Sequence, residues 1–229
     1  MNTMLRGVPA VTLWSGESRT GEIVLQHSGA SAFRPARVLG VGYADERGAD
    51  RDAMGVLIQR RLQAPGWGTA RLKLVHPARQ YRFMAGELCQ GCGGDPDRTA
   101  AGTLWLMPRP DAAPLGWPEG ARVEHPPICL PCALRSRGAC PEGRRRGWVS
   151  VRVGDSELSH VAGPVFSERD GRPVEVGQGV LSYDDPGLGW ITATRWLRTL
   201  WDCTPVDLDA EARDAADTRR MATPTQAAR

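Results

Sequence analysis

Short apolar runs, broken by Gly, Pro and charged residues, mark the first third of the chain. Residues 10–13 and 22–25 read as strands on either side of the polar turn Ser15-Gly16-Glu17-Ser18, and residues 38–43 as a third. The period then changes. Met54, Leu57, Ile58 and Leu62 recur at helical spacing behind Asp50 or Asp52 as a cap, which predicts a helix over residues 50–62 that Pro65-Gly66 ends. A shorter helix is predicted over 77–88, a strand over 103–107, a Pro-rich loop over 108–127, a helix over 130–137 and a strand over 148–153. Strands are expected at 161–166 and 180–183, joined by a turn at Asp170-Gly171. Trp196, Leu197, Leu200 and Trp201 make one apolar face, which predicts a helix over 191–201. Residues 207–229 are polar and read as a flexible tail with a short helix at 209–221.

These elements predict an α+β fold in which a metal module is embedded between short strands and helices. The expected division is 1–88, an N-terminal α+β region; 89–153, a four-cysteine module; 154–206, strands plus a Trp-rich helix; and 207–229, the tail. A chain of 229 residues buries roughly 70 % of its unfolded surface and folds without disulfides. No run approaches the roughly 20 apolar residues of a membrane helix, and the N-terminus has no sustained apolar targeting segment. The expected location is therefore the cytoplasm, with the cysteines as thiols or metal ligands.

Six cysteines change the picture most. Cys89-Gln-Gly-Cys92 and Cys129-Leu-Pro-Cys132 are two Cys-x2-Cys pairs separated by 36 residues. Each pair offers two sulfurs from one tight turn, and four thiolates complete the tetrahedral shell of a structural Zn2+ ion. Gly91, Gly93 and Gly94 suit the first turn to a knuckle whose amides point at sulfur. Cys129 and Cys132 open the predicted helix, whose free N–H groups favour thiolates. A knuckle, a hairpin-like insert and a ligand-bearing helix make a treble-clef arrangement. Unrelated buried cysteines, an iron–sulfur cluster and a redox pair are the other readings of the same spacing. Cys140 is the spare that competes with Cys132 as ligand, and Cys203 reads as a small buried hydrophobe.

Charge is unevenly spread. Net charge is +3, yet 28 of the 29 basic residues are arginine, a bias that suits anion recognition and that a GC-rich genome also produces. Residues 51–82 hold seven cations against Asp52, residues 134–152 six arginines against Glu142, and residues 154–190 seven acids against two arginines. Arg135, Arg137, Arg144, Arg145 and Arg146, followed by Trp148, form a candidate nucleic-acid contact beside the second cysteine pair, with the aromatic as a base-stacking partner. The bland alternative is a solvated loop before a strand whose Trp is core. Trp190, Trp196 and Trp201 are the candidate protein-binding side chains, again against plain core packing. His125 is the histidine placed to hydrogen-bond a thiolate. Asp45-Glu46, Asp50, Asp52 and Asp184-Asp185 read as turns and caps, and no complete catalytic constellation is present.

The segment 89–153 resembles the zinc-bound core of the HNH nucleases, which implies a treble clef. That family uses a His base with further His or Asn ligands for a catalytic metal. Here the interval between the cysteine pairs holds only His125, and Asn2 is the chain's only asparagine, so the catalytic half of the pattern is missing. The chain is also similar to uncharacterised actinobacterial and phage-associated four-cysteine proteins. The similarity rests on Gly42-Tyr43-Ala44-Asp45-Glu46, Leu88-Cys89-Gln90-Gly91-Cys92-Gly93, His125-Pro126-Pro127-Ile128-Cys129-Leu130-Pro131-Cys132-Ala133 and Cys203-Thr204-Pro205-Val206-Asp207-Leu208. It implies a coherent fold and transfers no activity. The expected function is a non-catalytic, zinc-stabilised nucleic-acid-binding accessory protein of a phage or mobile element. A protein–protein adaptor and a diverged HNH-like nuclease are the alternatives.

Overall fold

A computed structural model of the protein describes residues 7–29, 37–111 and 115–222. In chain order its elements are β1 (Thr12–Trp14), β2 (Ile23–His27), β3 (Val38–Tyr43), β4 (Leu57–Ile58), β5 (Ala70–Val75), α1 (Pro77–Ala85), β6 (Arg98–Thr99), β7 (Gly102–Pro108), β8 (Arg122–Val123), α2 (Leu130–Ala139), α3 (Pro141–Arg146), β9 (Trp148–Arg169), β10 (Arg172–Ser182), β11 (Thr192–Ala193), β12 (Arg195–Val206) and α4 (Leu208–Ala222). Strands and helices are both present, as an α+β fold requires.

The spine is β9, 22 residues long. Its start pairs with β7, from Pro108 opposite Trp148 to Thr103 opposite Val153, and its end pairs with β10 from His160 to Arg169. β12 runs antiparallel along the opposite edge, and β8 adds to β12 at Arg198 and Thr199. The β9–β10 hairpin turns at Asp170-Gly171, as the sequence predicts. Because β9 runs unbroken through residues 153 and 154, the expected boundary there falls inside one strand.

α1 lies against β12 through a side chain that imitates a strand. The buried Gln80 amide accepts from Trp196 N (2.9 Å) and donates to Trp196 O (2.8 Å) and Glu124 O (3.0 Å). Main-chain groups that would otherwise be buried without partners are thereby satisfied. Met84, Val161, Ile191 and Trp196 close an apolar cluster behind it. A second cluster joins Leu104, Leu106, Ile128, Leu130 and Leu208 to the cysteines, and a third joins Trp105, Val151, Val153 and Leu200.

Two expected helices are strands. Residues 50–62 form a turn followed by β4, which pairs in parallel with β11. Asp52 caps no helix; its Oδ1 accepts from Met54 N and Val56 N, both at 2.9 Å, which curls the chain back on itself. Met54 and Leu62, two members of the supposed apolar face, are exposed. Residues 191–201 lie in β11 and β12. Trp196, Arg198 and Leu200 are all buried there, and Arg198 is held by Met84 O (2.8 Å), Glu87 Oε1 (2.9 Å) and Ser156 Oγ (3.0 Å). The short helix expected at 209–221 in the polar tail is α4, anchored by buried Leu208; residues 223–229 lie outside the described residues. No helix among the described residues is long and apolar enough to cross a membrane.

Candidate metal centre

The sulfurs of Cys89, Cys92, Cys129 and Cys132 all lie within 4.8 Å of one another, a group that can hold a metal ion. Cys89 Sγ is 3.6 Å from Cys129 Sγ, and Cys92 Sγ is 3.9 Å from it. These separations are far beyond a disulfide bond of about 2.05 Å, and all six cysteines are free.

Local geometry aims the sulfurs inward. In the first pair, Gly93 N donates to Cys89 O (2.7 Å) and Cys89 N donates to Gly94 O (2.7 Å), closing a tight knuckle. In the second, Cys129 is the N-cap of α2, and Pro131 in the first turn has no N–H to leave unsatisfied. Cys129 N–H donates to Cys89 Sγ at 3.3 Å, so one pair's backbone supports the other pair's sulfur. Hydrogen bonds from Cys129 and Cys132 hold the Cys89 thiol far below the ordinary range, at about 2. The same contacts, with Cys132 first, push Cys129 up, and burial adds to them. The contacts thus favour charge on Cys89 and oppose it on Cys129 and Cys132. A cation at the centre removes that conflict.

The expected contact residues divide. Arg135 turns back onto the cluster, with Nη2 at 3.0 Å from Cys132 Sγ, and that contact raises its pKa. Arg137 forms a two-pronged pair with Asp209 of α4, at 2.9 and 2.6 Å. Arg146 reaches Asp111 at 2.9 Å. Arg144 and Arg145 are exposed on α3. Trp148 is no stacking platform: α3 lies directly over its indole, and a Cβ at Gly143 would be 1.8 Å from the ring.

The three candidate partner-binding tryptophans also separate. Trp196 is fully buried and donates its indole N–H to Asp52 at 2.8 Å, which corrects its assignment to a contact surface. Tyr183 donates to the same carboxylate at 2.9 Å. Trp190 is half-buried against the cluster of Val41, Tyr43 and Leu57. Only Trp201 is substantially exposed.

Among the described residues no hydrogen bond joins the His125 ring to a sulfur. Its carbonyl accepts from Trp105 Nε1 at 2.9 Å, and burial pushes its pKa down. Cys140 caps the end of α2 outside the cluster, and burial, then Glu119, push Cys203 up to about 12.

Two supports of the centre carry no local sequence signal. The two residues that lead into β1 are tied to the knuckle through Ala10 N to Gly91 O (2.9 Å) and Val11 N to Gln90 O (3.4 Å). Buried Arg152 of β9 bonds Asp97, just after the knuckle, at 2.7 Å, and also Glu211 of α4. Comparison of the chain with protein-family models, with curated proteins and with solved structures returned no match.

Proposed function

We propose that the chain is a non-catalytic, zinc-stabilised protein that binds nucleic acid. The observation that carries the reading is the closed set of four sulfurs. With Zn–S bonds of about 2.3 Å, a regular tetrahedron has edges of about 3.8 Å. The separations of 3.6 and 3.9 Å bracket that value. Four cysteines leave no open position for a water or substrate, which is how structural and not catalytic zinc is held. The order of knuckle, β6–β7 hairpin and α2, capped by Cys129 and containing Cys132, supports reading the module as a treble clef. The exposed cations Arg144 and Arg145 follow on α3, and arginine is suited to phosphate.

The test is elemental analysis of the purified chain together with binding to labelled single and double strands at several salt concentrations. Stoichiometric zinc and an affinity that falls steeply with salt are expected. Absence of stoichiometric metal, or of binding to either strand at low salt, rejects the reading.

A further inference from the structure

Between residues 53 and 86 the chain has no aspartate or glutamate. The segment 62–74 lies across residues 13–17, where Ser15 N donates to Thr69 O (2.9 Å) and Gly16 N to Trp67 O (3.2 Å). It displays side chains that a folded chain ordinarily covers: Trp67 is 62 % exposed, Leu72 63 % and Leu74 40 %. The Trp67 indole rests on Gly16, where a Cβ would be 2.6 Å from the ring, and the rest of the ring is open. β5 pairs with β1 at Arg71 opposite Leu13 and next at Val75 opposite Thr12, so residues 72–74 bulge out of the ladder.

Cations lie on this segment and on the chain it crosses. Arg19 and Arg61 form a β-bridge, and Arg61 Nη1 bonds Glu17 O at 2.8 Å. Burial, and then the charges of Arg19 and Arg71, push the Arg61 pKa down. Arg71 and Lys73 are exposed. Arg19 is paired with Glu175 at 4.0 Å, while Glu17, beneath Arg61, is buried and engaged by Arg79 at 2.6 and 2.8 Å. Cations and an exposed aromatic ring in one segment suit a polyanion with flat apolar faces.

We infer that Trp67, with Arg61, Arg71 and Lys73 within six residues of it in the same acid-free segment, is a stacking surface for single-stranded nucleic acid. The inference rests on the proposed function and deepens it by moving the contact from α3 to the face one strand away from the knuckle, since β1 bonds β5 and the two residues that lead into β1 bond the knuckle. Base stacking supplies affinity without sequence preference, and the cations track phosphates.

The experiment uses the full metal-loaded chain with fluorescein-labelled oligothymidine and a duplex of equal length, read by anisotropy. Single strand is expected to bind more tightly than duplex. Trp67→Ala weakens binding about tenfold with metal content unchanged, and Trp67→Phe restores part of it. Arg71→Gln with Lys73→Gln lowers the slope of log affinity against log salt by about 0.7 per charge removed. If Trp67→Ala binds as wild type while Arg144→Gln with Arg145→Gln loses binding, the inference falls and the proposed function stands. If neither strand binds wild type but polyglutamate does, the surface is a dock for an acidic polypeptide and both fall.

Discussion

His76 shows how one side chain sets a pH limit on the fold. It is fully buried as the N-cap of α1. Leu62 O can only accept, so Nε2 donates to it across 3.2 Å; Arg79 N can only donate, so Nδ1 accepts from it across 3.5 Å. The second contact demands the neutral ring, since a protonated Nδ1 cannot accept, and burial, with Arg79 beside it, lowers the pKa from 6.5 to about 4. Above pH 6.5 the ring is neutral in both folded and unfolded chains, and its contribution is complete. As pH falls below 6.5 the unfolded chain takes up a proton that the folded chain refuses until about pH 4. Stability is therefore lost across that window, by about 3 kcal/mol for a shift of about 2.5 units. Urea unfolding at stepped pH should show the decline beginning above the carboxylate range. In His76→Asn, which keeps a capping side chain, the fall between pH 6.5 and 4.5 should shrink but not vanish, because burial also lowers the pKa of His125; an unchanged slope would assign the whole fall to other groups.

Elements were legible in the sequence where their periodicity was unmixed. The strand over 103–107, the helices over 77–88 and 130–137 and the turn at Asp170-Gly171 correspond to β7, α1, α2 and the β9–β10 hairpin. β12 was illegible for a physical reason: its buried face reads Trp196, Arg198, Leu200, and the arginine at its centre breaks the apolar alternation that marks a strand. The ladder shifts register between Leu197 and Arg198, which further disguises the period. Spacing of four between Trp196 and Leu200 fits a helix and a strand face equally. The tertiary partner decides between them, and it is β9. The packing is tight where β9 crosses residues 192–194: a Cβ on Gly163 would lie 2.1 Å from Thr192 O. Gly163→Ala should therefore force β11 away from β9 and from its partner β4, at a cost of roughly 1–3 kcal/mol. Chemical denaturation measures the cost. A variant as stable as wild type would mean that the 192–194 segment shifts freely.

Across the whole molecule the cysteine centre joins parts that are distant in sequence. Its four members were legible because each pair's spacing is local and four sulfurs suit one ion. The surrounding arginines were not, since Arg137 and Arg152 are spoken for by Asp209 and Glu211, carboxylates that meet them only in the folded chain. These contacts make α4 dependent on the centre. α2 carries both Cys132 and Arg137, Leu208 packs in the same cluster as Cys89 and Cys132, and the chain entering β1 hangs from the knuckle by two backbone bonds. A four-cysteine zinc site contributes roughly 10–16 kcal/mol of apparent folding energy, as much as a whole domain's net stability of roughly 5–15 kcal/mol. If the proposed ion occupies the four sulfurs, stripping it with a chelator at neutral pH should abolish amide protection in the knuckle, α2 and α4 together. The β9–β10 hairpin, which touches none of the four sulfurs, should exchange last. Hydrogen-exchange mass spectrometry resolves the order. Retention of α4 protection in the metal-free chain would show that the helix is held by its ion pairs alone, and such a helix should then come loose at high salt, where exposed pairs such as Arg137–Asp209 are screened.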